Sequence, residues 1–573
     1  MFGTQNHPDK RLAEYRSNLT GIKHRYRLTP MRPRPNQPIT VHVTTSGGIP
    51  YDVVRCWINE TAFDLGADKT EWSALEWRYV QHWQRKIPPQ PSGTLLNYRL
   101  GGRVAGSDTW IFADNQARTK SAATEFAIAI DDYEIPEWAR TAVIYHIFLD
   151  RFYPGDDVPW KKPTNLSGFF GGTLRGAIQK LDYIQSLGCN AVWLSPLFAS
   201  PSHHGYDATD YDTVEPRLGT NAELHELIAE AHRRGIRVIM DFVANHWSNR
   251  HPTFQAAQQD ADSAYREWYT WHRWPDEYAS FFGVKGMPQL NLMHKPARDA
   301  LLACAQRWLR AGIDGYRLDY APGPPRLFWA EFRKACKSVN SDAFLFGEVV
   351  SHSEVIASYL PHFDGCLDFL LADALRKTFA LETWTLQAFE AFLAAHENYF
   401  PGGFALPAFL DNHDMTRILY LAKEDKAKVR LAALVLFTLP GAPILYNGTE
   451  VGLSQRNPLG RFEEARLPTP WGDAQDKTLL AYFRRLGELR SQFPELSSSK
   501  REIAHLNINT GTYAYHRGPV LVALNTSRVP RTLNMAVPNL SDTAQELLNG
   551  HPVEVSGDVV RISLPAQSGA FIA

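Results

Sequence analysis

The chain has 573 residues, with 60 Lys and Arg against 61 Asp and Glu, a formal charge of −1 at pH 7. That balance removes most of the electrostatic case for a nucleic-acid or anionic-membrane partner, either of which needs a clustered basic surface. At 44% hydrophobic and 21% charged residues, the composition is that of a globular protein of roughly two to four domains.

No window approaches the ~18 uninterrupted apolar residues of a spanning helix, and the opening Met1–Lys10 has no hydrophobic signal region. The expectation is a soluble cytoplasmic protein. Cys56, Cys189, Cys304, Cys336 and Cys366 are odd in number, far apart and free of C-x-x-C spacing. They indicate neither a disulfide framework nor a zinc site, and are expected as small apolar core residues.

In chain order, residues 1–135 predict an N-terminal antiparallel β-sandwich, from the short β-prone runs Ile39–Thr45, Val53–Ile58, Leu95–Leu100 and Glu125–Ile130. From Ala142 short apolar strands alternate with amphipathic helices, the pattern of βα units around a parallel sheet. Eight strands are predicted: Ala142–Phe148, Asn190–Phe198, Ile236–Asn245, Gly312–Asp319, Ala343–Val349, Phe363–Leu371, Phe404–Asn412 and Gly441–Gly448. Eight is the number that closes a (β/α)8 TIM barrel, so residues 136–493 form the expected catalytic domain.

One helix is predicted between the first two strands, with Leu174, Ile178, Leu181, Ile184 and Leu187 on one face and Gly188 as its stop. Thr220 or Asn221 caps the helix before the third strand, and Gly235 ends it. The connection after the third strand far exceeds the usual 2–6 residues of a βα loop. Its part 247–291 is rich in aromatics and reads as an inserted subdomain, either walling a cleft or filling its own core. Residues 494–573 return to β texture, with strands at Thr512–Arg517, Val520–Asn525, Arg531–Val537 and Val559–Leu564 predicting a C-terminal antiparallel β-sandwich.

Reacting groups of a (β/α)8 barrel sit at the C-terminal ends of its strands. The third strand ends in Asp241 to His246, the fourth in Arg317-Leu318-Asp319, the fifth in Gly347-Glu348 and the seventh in Asp411-Asn412-His413-Asp414. A single strand-end carboxylate is commonly a helix cap or a surface charge. Carboxylates, histidines and an arginine at matching ends of four strands point instead to one ionisable site. The 12% aromatic content permits a carbohydrate ligand, because aromatic faces stack on sugar C–H faces, but aromatics also fill cores.

The motifs DFVANH (241–246), GYRLD (315–319), GEV (347–349) and NHD (412–414), supported by HGYDATDY (204–211), MPQLN (287–291) and GAPILYNGTE (441–450), resemble the α-amylase superfamily, glycoside hydrolase family 13. The resemblance covers about residues 140–455 and is specific as a set. It implies a retaining α-glucan hydrolase with Asp319 as nucleophile, Glu348 as acid/base and Asp414 as the third carboxylate gripping sugar hydroxyls. It further implies Arg317 holding Asp319 ionised, His246 and His413 binding hydroxyls, Tyr206 as stacking platform and His204 completing the H-G-Y form. His203 stands where members that remove single glucose units often carry an acid.

MPQLN and the leading β-sandwich are most like the neopullulanase, cyclomaltodextrinase and maltogenic amylase group. That group implies maltooligosaccharide, cyclodextrin or starch-fragment substrates and a homodimer. Two segments depart from it: Tyr320–Pro325, where relatives often place polar contacts to the leaving-group sugars, and Val349–His352, which lacks a Trp often found nearby. A transglycosylase or isomerase, or an ordinary endo-acting α-amylase, is the alternative. A non-catalytic glucan-binding protein is disfavoured by the intact carboxylates. No cofactor or metal is required; the resemblance allows a structural calcium, with Asn245 matching a ligand of many members.

Overall fold

The computed structural model describes residues 19–573 apart from Glu60, Leu75, residues 458–461, Ser499, Asn539 and Asp542. The opening decapeptide and the first part of the predicted N-terminal sandwich lie outside the described residues.

The eight predicted barrel strands are present as Ile144–Ile147, Ala191–Leu194, Arg237–Phe242, Gly315–Leu318, Phe344–Gly347, Gly365–Cys366, Ala408–Phe409 and Pro443–Tyr446. They pair in parallel in chain order through the sixth, the seventh pairs with the eighth, and the eighth with the first. The ring closes between the sixth and seventh strands. There Gly365 bridges Ala405, and the Cys366 and Asp368 amides donate to Ala405 O (3.0 Å) and Pro407 O (2.8 Å). A Cβ on Gly365 would lie 2.1 Å from Ala405 O, so the seam requires glycine. Ile144, Ala191, Trp193, Ile239, Phe344, Phe346 and Ile444 fill the interior. Helices cover the outside, so both faces of each strand are buried and the sequence runs apolar without alternation.

Two expectations are corrected. The sixth strand stops at Cys366: Asp368 accepts from the Leu371 amide at 2.9 Å and caps a helix over Phe369–Leu375, whose apolar start extends the strand-like run. The first helix is two, Leu174–Gln179 and Leu181–Ser186, broken at Lys180. The helix Asn221–Arg233 has the capping box its sequence announces, with Thr220 Oγ1 accepting from Glu223 N and Glu223 Oε2 from Thr220 N.

The N-terminal strands form an antiparallel sandwich around Ile39, Val41, Val43, Val54, Cys56, Tyr98 and Leu100. Two long strands, Thr61–Ser73 and Arg78–Ile87, are not legible as strands in the sequence, because most of their residues face water and too few are buried to give an alternation. They make a hairpin on which Trp72, Trp77 and Tyr79 are 48%, 76% and 68% exposed and pack edge-on at 5.6 and 5.3 Å. This domain docks on its own barrel: Arg333 joins Asp131 (2.7 Å) to Asp364 (2.9 Å), and Arg25 meets Glu354 at 2.6 Å.

At the other end a four-stranded and a three-stranded antiparallel sheet enclose Leu521, Ala523, Leu533, Val560 and Ile562. The strands Arg501–Asn507, Val553–Ser556 and Ser568–Ile572 add to those expected. No described helix is long and apolar enough to cross a membrane. All five cysteines are free and buried.

Candidate active site

The C-terminal mouth of the barrel is organised by one guanidinium. Arg317, fully buried, aims Nη1 at Asp241 Oδ1 and Asp319 Oδ1, each at 2.8 Å, while Nη2 lies 2.8 Å from Glu348 Oε2. Register explains the convergence. Asp241 on the third strand pairs with Arg317 on the fourth, and Leu318 pairs with Gly347 on the fifth, which leaves Asp319 and Glu348 as the next residues out of adjacent strands. Three carboxylates of one sign approach only because the cation stands among them.

A second cluster adjoins the first. Tyr206 OH donates to Asp241 Oδ2 at 3.0 Å and lies 2.5 Å from His413 Nε2, and its ring is parallel to the imidazole at 5.5 Å. His413 Nε2 is 3.0 Å from Asp414 Oδ2, and Arg466 Nη2 donates to Asp414 Oδ1 at 2.6 Å. His204 Nδ1 accepts from the Tyr206 amide at 3.1 Å. Tyr206, Arg317, Asp319, Glu348, His413 and Asp414 thus form one continuous network, with His204 attached through Tyr206. His246 stands to one side, stacked on Phe281 at 4.5 Å.

Burial and charge set the protonation states. Burial pushes the Glu348 carboxyl up, against the pull of Arg317. Asp319 is also raised, first by burial and further by Glu348, Asp241 and Asp414, with Arg317 opposing. Arg317 pulls the Asp319 carboxyl down, as expected, but burial and the neighbouring carboxylates outweigh it. One protonated and one ionised carboxyl is the state from which retaining hydrolysis starts. Burial would also raise Asp414, but His413 and Arg466 outweigh it and hold that carboxylate well below the usual range. Burial pushes the imidazoles of His204 and His246 down to about 3, so both meet a ligand as neutral donors or acceptors.

A pH profile follows. kcat/KM should fall on the acid side as the Asp319 nucleophile is protonated, and on the alkaline side as Glu348 loses the proton it must donate. With Glu348 raised, the alkaline limb is expected above the ordinary glutamate value of about 4.3. Initial rates at low substrate across pH 3–10 check this; an alkaline limb at or below that value would contradict the assignment.

On the other side of Asp319 the wall is aromatic. Tyr320 has φ +38° and Phe282 φ +48°, two bulky residues in the left-handed region, where strain is held only by firm surroundings. The Tyr320 amide donates to Glu348 Oε2 at 3.1 Å, and its ring meets those of Phe281 and Phe282, each at 5.1 Å. A Cβ on Gly323 would lie 2.1 Å from Asn245 Oδ1, so this loop is pressed against the third strand's end. Phe254, Tyr269, Trp271 and Tyr278 pack on one another, while Phe281 and Phe282 face the mouth.

Asn245 Oδ1 accepts from Gln289 Nε2 at 3.0 Å, and Asn245 Nδ2 lies 3.1 Å from His246 Nδ1. No group of three or more His, Cys, Asp or Glu side chains arranged to hold a metal ion occurs among the described residues. The side-chain oxygen of Asn245 is thus engaged by Gln289, and no step below is routed through a metal.

Two residues escape the strand-end rule. Arg466 and Glu463 lie in the segment after the eighth strand, with Arg466 Nη1 donating to Glu463 Oε1 at 3.1 Å and Glu463 Oε2 2.8 Å from His203 Nε2. Their sequence signal is slight, a short charged run, Glu463-Glu464-Ala465-Arg466, well past the last motif.

Such a barrel, with carboxylates gathered at the strand ends beside imidazoles and an aromatic platform, has the construction of a glycoside hydrolase. Residues 146–480 match the alpha amylase catalytic domain. Alpha-amylase 2 of Dictyoglomus thermophilum is 37% identical over 468 residues, 80% of this chain and 79% of that protein. Neopullulanase 2 of Thermoactinomyces vulgaris is 31% identical over 83% of this chain and 85% of its own length. A solved cyclomaltodextrinase superposes with a TM-score of 0.72 at 26% identity, over 97% of this chain and all of that one. The chain belongs to the α-amylase family and is a retaining glycoside hydrolase, most like the neopullulanase, cyclomaltodextrinase and maltogenic amylase group.

Proposed function

We propose that this hydrolase cleaves α-1,4-glucosidic bonds of maltooligosaccharides, cyclodextrins and short starch fragments. Asp319 attacks the anomeric carbon, and Glu348 gives its proton to the departing glycosidic oxygen. The covalent glycosyl-enzyme is then opened by water whose proton returns to Glu348. Asp414, kept ionised by His413 and Arg466, takes sugar hydroxyls and holds them more firmly as the ring flattens. Tyr206 offers its ring to the same sugar, and His204, His246 and His413 bind hydroxyls. The observation that carries this reading is the single Arg317 guanidinium bound to Asp319 and Glu348 together.

Substrate form follows from the leaving-group side. Tyr320, Phe281 and Phe282 present rings, with Phe282 54% exposed, and Pro322, Pro324 and Pro325 carry no side-chain donors. A ring protruding at the mouth suits the C–H-lined interior of a cyclodextrin better than the hydroxyl-rich flank of an open chain. Initial rates on β-cyclodextrin are expected to exceed those on soluble starch, with products resolved by chromatography. Faster cleavage of starch to a spread of oligosaccharides would point to an open-cleft endo-amylase.

The same aromatic wall favours a second reading, transfer to a sugar acceptor stacked where water would attack. Counting bonds broken against reducing ends released separates the two. The buried, unpaired cysteines support a cytoplasmic location, and the exposed aromatics of the N-terminal hairpin support a homodimer. Sedimentation equilibrium tests the dimer.

A further inference from the structure

Beyond the catalytic mouth, the loops after the first and eighth strands meet along a second groove. Trp471 Nε1 donates to Phe152 O at 2.7 Å, and the Thr469 amide donates to Arg151 O at 2.8 Å. Between the loops lies an open depression of about 700 Å³, walled by Tyr153, Trp160 and Trp471 with Asp157 at its edge.

Its chemistry narrows the occupant. Tyr153 and Trp471 meet edge to face at 5.1 Å, and the Lys180 ammonium lies 3.9 Å from the centre of the Tyr153 ring and 5.0 Å from that of Trp471. Such packing fixes both rings. Pro159 and Pro470, one on each wall, stiffen the chain that carries them, so the groove is formed before anything binds. Among the described residues no arginine or histidine lines it, and the nearest ammonium, Lys180, is taken up by the two rings and by Asp156 at 3.9 Å, which disfavours a phosphate or other anion. Aromatic faces beside one exposed carboxylate are the means of holding a neutral polyhydroxylated ring: C–H faces on the rings, hydroxyls on the carboxylate.

One segment of chain joins the groove to the machinery. Arg466, which grips Asp414, begins the segment that ends in Trp471, and its carbonyl accepts from Arg151 Nε at 2.8 Å. We propose that this groove is a second α-glucan-binding site, taking a short α-1,4-linked segment of a substrate chain apart from the bond being cleaved. It rests on the α-glucan reading of the mouth.

The test uses full-length Asp319→Asn, silenced for turnover, titrated calorimetrically with maltoheptaose. Two sites per chain are expected. Adding Trp160→Ala, or in a separate chain Asp157→Gly, should leave one; Asp157 has φ +61°, which glycine adopts without strain. In the active enzyme Trp160→Ala should raise KM for starch by about threefold to tenfold, the value of one lost ring contact, with maltotriose turnover unchanged. A single site in Asp319→Asn, or two sites persisting in both groove variants, would overturn the proposal. Absence of any maltoheptaose binding would instead remove the α-glucan reading of the mouth, and the groove with it.

Discussion

Asp319→Asn is expected to lower hydrolysis of β-cyclodextrin by about four to six orders of magnitude, the scale of loss when one member of a cooperating catalytic set is removed. The amide cannot form the glycosyl ester, and it still accepts a hydrogen bond from Arg317, so binding should survive the loss of turnover. Glu348→Gln tests the partner role. Without its proton the natural leaving group departs slowly, by roughly 10²–10⁴-fold, but α-maltosyl fluoride, whose leaving group needs no proton, should retain much faster formation of the covalent intermediate. A burst of fluoride followed by slow turnover would mark the intermediate, because the amide that replaces the Glu348 carboxyl also fails to activate water. Equal losses on both substrates would assign Glu348 a structural role, and hydrolysis surviving in Asp319→Asn would displace the nucleophile to another residue.

Arg317→Met should be the most damaging substitution to stability. The guanidinium is completely buried and is bound to Asp241, Asp319 and Glu348. Removing it leaves carboxylates facing one another in a dry site, a loss of about 3–5 kcal/mol by analogy with other broken buried pairs. The pH dependence identifies the cause. Asp319 and Glu348, already raised by burial, rise further without the cation, so the folded variant holds more protons than the unfolded chain. Its stability should therefore fall as pH rises above the ordinary carboxylate range and through the raised values of the pair, and recover as pH drops from 7 toward 5. Urea unfolding at both values checks this. A deficit independent of pH would mean that packing, not charge, is what Arg317 supplies.

How much of this is legible in the sequence depends on what each segment buries. The barrel strands are buried on both faces and stand out as apolar runs, and the residues of the catalytic mouth follow them because strand ends are fixed points of the architecture. The hairpin Thr61–Ser73 and Arg78–Ile87 buries little, so its strands carry no readable alternation. The helix at Phe369 merges into a strand because an apolar run alone does not separate the two; its signal is the capping Asp368. Arg466 reaches Asp414 across 52 residues of chain, a contact that no local pattern announces. The upward shift of Asp319 and Glu348 is hidden for a related reason: spacing shows that a cation lies beside a carboxylate, but not how much water the fold removes from both.

The N-terminal hairpin also gives the protein an optical handle. The chain holds 16 tryptophans, and Trp72 and Trp77 are the most water-exposed of those among the described residues. A soluble quencher such as iodide should extinguish these two first, and their emission should lie at the red edge of the band. Any surface that covers the hairpin, whether a second subunit or a glucan, would shift that emission to the blue and shield it from iodide, so occupancy of this domain can be followed in a cuvette while the catalytic mouth is left untouched.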